Sequence, residues 1–258
     1  MAPSAEEAAH AAHEQNSDAP AAAPKITFYT SYICPYAQRI NIVLEELGLQ
    51  YERVQIDLSV PRPQWYLDIN PRGLVPSLKY NDEVLTESLI VSQFLADSHP
   101  SALLPATQAD ATAPLRRARI AFFIDTWATK VASQQFAIMT SDADSSERDR
   151  LAVEWAKAVE HHIEPLLANA DPFFGGSHDF TFADAMAAPF VLRWEALSTD
   201  GTLIPKVFWE KLSALPHFSR WAYAVRTRPS VTSTFNGSTV VQNSKKMVER
   251  RKAAGAKH

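Results

Sequence analysis

One cysteine, Cys34, stands in the segment YTSYICPYAQR, and a proline follows it at once. A thiol acts as nucleophile in its thiolate form, and its pKa falls from about 8.5 to somewhere within about 3.5 to 7.5 where backbone N–H groups or cations face it. Pro35 has its φ preset for a helix and no N–H to lose, which suits the first helical turn and places Cys34 at the N-cap. There the thiol meets unpaired N–H groups and the positive end of a helix dipole, a setting expected to lower its pKa. The competing reading is a small buried hydrophobe, the usual fate of a lone cysteine. In a C-x-x-C redox pair the second thiol resolves the mixed disulfide, but CPYA has Ala37 in that place and no other cysteine exists. A resolving thiol has to come from outside, and the abundant small thiol of a reducing cytosol is glutathione.

The flanking elements must hold Cys34 in that position. Residues 25–30 (KITFYT) are β-branched and aromatic with alternating polarity, which predicts a strand leading in. Ile40, Val43, Leu44 and Leu47 recur at helical spacing up to Gly48, which predicts a helix leading out. Val54, Ile56 and Leu58 alternate with polar neighbours as a second strand would. A short helix is expected over residues 64–67, ending at the NPRG turn. Residues 77–80 and 83–85 flank Asn81-Asp82 as a hairpin, and a helix follows over residues 86–96. This β-α-β-(short α)-β-β-α order is that of a thioredoxin-like α/β domain, assigned to residues 25–105. Beyond a linker rich in Pro, Ala, Thr and Asp, apolar residues keep helical spacing over residues 115–139 and 151–166. Thr181 to Asp184 has the form of a capping box, and further helices are expected at 208–213 and 216–227. Residues 106–240 therefore read as an all-α helical bundle.

Bulk composition narrows the function. The chain has 258 residues, 46% of them hydrophobic and 21% charged, enough for two ordinary domains with real cores. The formal net charge of −4, with no basic stripe among aromatics, argues against nucleic-acid binding. A single cysteine forbids an intramolecular disulfide, and the adjacent His161 and His162 point apart on a helix, so no metal is expected. Residues 1–24 are Ala-rich and acidic without the marks of a signal or transit peptide, and are expected to be a disordered arm. No apolar run reaches membrane-spanning length, so a cytoplasmic protein is expected. Residues 241–258 (VQNSKKMVERRKAAGAKH) read as a basic, solvated tail.

Three segments in order, SYICPYAQR, NPRGLVPSL and TESLIVSQFL, followed by FTFADAMAAP, give a chain that resembles the cytosolic glutathione transferases, and its CPYA segment resembles the omega class. The resemblance runs from about Lys25 to about Phe235. It implies that Val75 offers its backbone to glutathione as a short β-ladder beside a cis Pro76, where a plain tight turn is the competing reading. Glu87 and Ser88 open a helix at which a hydroxyl and free N–H groups can hold the γ-glutamyl carboxylate while an acid takes its ammonium; an ordinary N-terminal cap is the alternative. The omega class has a lysine ahead of a Pro-acid-Trp segment for the glycine carboxylate, and Arg62 in RPQW stands there with a one-residue offset. The resemblance also implies that Tyr36 shapes the glutathione pocket, against simple packing on Ile40. From the helical domain, Arg193 and Trp221 are implied to line the second-substrate pocket, although an arginine on a helix usually ends in solvent and a tryptophan in core.

The implied activity is glutathione-dependent thiol transfer, or dehydroascorbate reduction, through a Cys34–glutathione mixed disulfide in a homodimer. Two alternatives stay open. One is conjugation to, or ether cleavage of, an aromatic or secondary-metabolite electrophile. The other is a chloride-channel-like or non-enzymatic glutathione-binding protein, disfavoured because ITFYTSYI is short and polar-spotted.

Overall fold

The computed structural model describes residues 23–255. Most of the expected disordered arm, residues 1–22, lies outside the described residues. The first domain carries β1 (Ile26–Thr30), α1 (Pro35–Glu46), β2 (Glu52–Gln55), α2 (Gln64–Ile69), β3 (Ser77–Tyr80), β4 (Glu83–Thr86) and α3 (Ser88–Ser98). Its four strands are ordered β2-β1-β3-β4, with β1 and β2 parallel and the other pairs antiparallel. This is the thioredoxin-like arrangement. β1 is central and buried at every residue, which is why its sequence is apolar and aromatic rather than cleanly alternating.

Two boundaries fall elsewhere than the apolar pattern suggests. β2 occupies Glu52–Gln55, because a five-residue β1 offers partners only from Thr27↔Glu52 to Thr30↔Gln55. Ile56 lies just beyond and is still buried, its N–H on the Thr30 carbonyl at 2.8 Å. α3 starts at Ser88 because Thr86 is still paired with Ser77 across the β3–β4 ladder.

The second domain is helical: α4 (Ala113–Thr126), a π-helical turn (Trp127–Ala132), α5 (Gln134–Thr140), α6 (Ser145–His162), α7 (Phe182–Asp200), α8 (Lys206–Ser213), α9 (Pro216–Thr227), α10 (Pro229–Thr232) and α11 (Gly237–Gly255). The single helix expected over residues 115–139 is thus interrupted. At the wide turn the Trp155 indole N–H takes the Val131 carbonyl at 2.8 Å, and Trp127 stacks on Trp194 with centroids 4.8 Å apart. A side chain inserted at a carbonyl is a recognised cause of such departures.

The expectation of a solvated tail is corrected: α11 packs on the bundle. Val240 and Val248, two turns apart, are buried, Arg251 stacks over Phe136 at 4.5 Å, and Lys245 and Lys252 pair with Asp200 at 2.8 Å and Asp142 at 2.7 Å. The basic residues had masked a narrow apolar stripe. At the other end of the bundle the Thr181–Asp184 capping box is formed and opens α7, the buried helix that contacts α1 of the first domain.

Candidate active site

Cys34 is the N-cap of α1, delivered there because β1 ends four residues earlier and Pro35 starts the helix. Its Sγ accepts the Ala37 N–H at 3.5 Å. The thiol in turn points at the Val75 carbonyl oxygen, 3.7 Å away. The expected lowering of its pKa is corrected: burial pushes the Cys34 thiol up, and the Ala37 N–H, the Arg193 guanidinium, the Tyr36 N–H and the Arg39 guanidinium only partly oppose it. The helix end does what was expected of it, but the half-buried position costs the anion more than one helix turn returns.

A cavity of about 420 Å³ opens from this thiol, within the range of small-molecule sites. Tyr36, Arg62, Val75, Pro76, Glu87 and Ser88 all line it with Cys34. Val75 and Pro76 are joined by a cis peptide at the head of β3. The turn before them is braced from below: Tyr66 Oη donates to Leu74 O at 2.6 Å, and Asn70 Nδ2 donates to Leu74 O at 2.9 Å and to Ser77 Oγ at 3.0 Å. Gly73 needs its φ of +62°, and a Cβ there would stand 3.2 Å from the Arg62 and Leu67 side chains.

Glu87 sits between β4 and α3 with φ +69°, a strained conformation for a non-glycine residue and of the kind that gathers at binding sites. No side chain caps α3, so its first N–H groups and the buried Ser88 face the cavity. The Glu87 carboxylate is paired with Arg72, a cavity residue that the sequence reading passed over because NPRG reads as a turn. Arg62 lines the wall, but its donors are largely spoken for. Nε holds Gly73 O at 3.1 Å, and Nη1 holds Asp57 O at 2.6 Å and Val60 O at 2.5 Å. Tyr36 is half exposed and meets Phe190 of α7, in the second domain, edge-on at 5.6 Å.

The pair implied for the second-substrate pocket is corrected. Trp221 is fully buried, and its indole N–H donates to Asp184 Oδ1 at 2.6 Å, so it belongs to the core. Arg193 is also buried, and its guanidinium turns inward to Gln38 and to the Pro189 carbonyl.

Residues 28–103 match the family described as glutathione S-transferase, N-terminal domain. The crystal structure of glutathione transferase Omega 2C from Trametes versicolor is 30% identical, superimposes with a TM-score of 0.72, and the match covers 88% of this chain and 99% of that one. The chain belongs to the omega-class glutathione transferases. Among curated relatives, glutathione S-transferase omega-1 of Rattus norvegicus is 24% identical over 82% of this chain and 80% of its own length. Glutathione S-transferase DHAR2 of Arabidopsis thaliana is 26% identical over 73% and 72% respectively. The co-substrate of this transferase is glutathione. Beside Cys34 the cavity has the Val75 backbone at the cis Pro76, an uncapped helix start at Ser88 and an acid at Glu87. Among the described residues no group of acids, histidines and cysteine could hold a metal ion, and no helix is long and apolar enough to cross a membrane.

Proposed function

We propose that this omega-class enzyme is a glutathione-dependent thiol transferase in which Cys34 carries the glutathionyl group. The observation that supports it most is the Cys34 thiol, without a second cysteine in the chain, opening onto the same cavity as Val75, Glu87 and Ser88. Cys34 thiolate attacks the glutathionyl sulfur of a mixed disulfide, forming the Cys34–glutathione disulfide and expelling the partner thiolate, which takes a proton. A second glutathione, as thiolate, attacks the glutathionyl sulfur, so that oxidised glutathione leaves and Cys34 returns to thiolate. The net change consumes one free glutathione, the mixed disulfide and glutathione giving the free thiol and oxidised glutathione; reduction of dehydroascorbate takes its two electrons from two glutathiones, which leave as oxidised glutathione. Val75 lays out the glutathione backbone, Ser88 and the α3 N–H groups take the γ-glutamyl carboxylate, and Glu87 takes its ammonium. Tyr36 and Pro76 shape the walls. The Arg62 guanidinium, held by three carbonyls, shapes the glycine end chiefly by fixing the loop.

In this reading residues 25–105 form the glutathione domain and 106–240 the second-substrate domain, and the enzyme works as a cytoplasmic homodimer. Supporting the dimer, Val84, Leu89, Ile90, Leu115 and Phe122 are exposed apolar residues on β4, α3 and α4; α3 contacts β4, and α3 and α4 line a common hollow. One preparation assayed with hydroxyethyl disulfide, dehydroascorbate and a chloronitrobenzene electrophile tests the proposal. The first two should dominate, and dominance of the third would favour conjugation instead.

A further inference from the structure

Buried polar groups between the domains reach the backbone just before Cys34, and their charges do not balance. Arg193 on α7 is 2% exposed, and its side chain crosses to the first domain. Nη1 donates to Gln38 Oε1 on α1 and to Pro189 O at 2.8 Å, and Nη2 donates at 3.4 Å to Ile33 O, the carbonyl just before Cys34. Gln38 is held in that orientation by its own amide, which donates to Thr234 Oγ1 at 3.2 Å. Phe235 covers a guanidinium face at 5.4 Å, and the buried Nε has no hydrogen-bond partner among the described residues. Arg39, also buried, donates through Nε to Met186 O at 2.8 Å, its guanidinium 5.3 Å from the Tyr36 ring and 5.0 Å from the Phe190 ring.

Among the described residues neither guanidinium is paired with a carboxylate. A buried cation without an anion is costly. Burial pushes each of the two down to about 10; the Cys34 charge opposes this for Arg193, and the Tyr36 and then the Cys34 charges oppose it for Arg39. The other ionisable groups around the thiol are engaged or of the wrong kind. Arg62 holds backbone carbonyls, Arg72 and Glu87 hold each other, and Tyr36 presents its phenol. The anion left for Arg193 is the cysteine's own, and Arg39 has the Tyr36 ring and the same cysteine beside it.

We propose that Arg193, with Arg39 beside it, is the buried counter-ion of the Cys34 thiolate, a positioning residue through which the helical domain sets the ionisation of a cysteine in the other domain. The inference rests on Cys34 being the nucleophile of the proposed function. It also bears on resolution. The two cations oppose the rise that burial imposes on the Cys34 thiol, so they ease its departure as thiolate when glutathione attacks the mixed disulfide.

The test is the pH titration of Cys34 in the full chain, read by thiolate absorbance and by iodoacetamide alkylation. In Arg193→Gln the midpoint should rise by about one pH unit, with neutral-pH alkylation about tenfold slower; Arg193→Lys, which keeps a cation, should fall between that variant and wild type. An unshifted midpoint in a folded Arg193→Gln protein overturns the proposal. Should that variant not fold, wild type labelled with ¹⁵N-arginine answers the question. The slowly exchanging Nε–H resonances of the buried arginines should move with the thiol's midpoint and lose that step in Cys34→Ser, and resonances that ignore the thiol overturn the proposal equally. Neither readout needs turnover, so intact thiol transfer with an unshifted thiol refutes only the counter-ion. A shifted thiol without thiol transfer refutes only the function.

Discussion

Cys34 and Val75 face each other across the mouth of the cavity, the thiol 3.7 Å from the Val75 carbonyl oxygen. The contact explains two properties at once. A carbonyl acceptor favours the S–H form it faces, alongside the burial that raises the thiol's pKa, and a peptide laid along Val75 arrives with its own side chains beside Sγ. A substrate that takes the Val75 backbone takes away the acceptor that the S–H form faces.

The pH dependence follows from the sign of that shift. Because burial raises the thiol's pKa, the nucleophile of the free enzyme forms above the ordinary thiol range, and kcat/KM for a disulfide substrate should climb with pH through about 8.5 and beyond rather than level off near neutrality. A profile already flat between pH 6 and 8 would show that the site lowers the pKa after all.

Glu87→Gln should separate binding from folding. The carboxylate is half exposed and paired with exposed Arg72, so its loss should change unfolding free energy by less than about 1 kcal/mol. As the acceptor proposed for the glutathione ammonium, its loss should raise the KM for glutathione about tenfold or more, the equivalent of one charged hydrogen bond of about 1.5 kcal/mol. An unchanged KM would remove Glu87 from the glutathione site.

Much of this site was legible in the sequence, and the misses share a cause. Cys34, Val75, Glu87 and Ser88 sit at junctions between strand and helix or turn and strand, where residue type reports local backbone geometry. Asn70 and Tyr66 were missed because they act through hydrogen bonds to a turn eight or fewer residues away, leaving no periodic signal. Arg193 and Trp221 were misplaced for the converse reason. Their environments are set by contacts across 155 and 37 residues of chain, with Gln38 and Asp184, and a helical pattern does not say which neighbour a long side chain meets. The α11 helix escaped because two buried valines are a weak stripe among lysines and arginines.

Asp184→Ala should cost more than an ordinary cap. The carboxylate accepts the Thr181 N–H at 2.8 Å, the Thr181 hydroxyl at 2.6 Å, the Trp221 indole at 2.6 Å and the Phe174 N–H at 3.1 Å. Burial pushes its pKa up, and these donors oppose the rise. Truncation strands several of them in the core, so urea unfolding should show a loss of about 2–4 kcal/mol, above the range of about 0.5–2 for a solvent-facing cap. A loss inside the ordinary range would mean that the remaining groups find other partners.

Val248→Asp tests whether α11 is part of the fold. Burying an unpaired carboxylate under the helix should lower stability by about 2–3 kcal/mol, whereas Lys246→Ala on the exposed face should change it by less than about 0.5. Equal, small effects from both substitutions would return residues 241–258 to the status of a solvated tail.

The central claim is that Cys34 itself carries the glutathionyl group, and intact-protein mass spectrometry tests it most directly. After incubation with oxidised glutathione at neutral pH, wild type should gain one glutathione, located on Cys34 by peptide mapping and removed by reduced glutathione. Cys34→Ser should gain none and should lose thiol transfer while still binding glutathione. Full thiol-transferase activity in Cys34→Ser, or a wild-type protein that takes up no glutathione, would contradict the mechanism.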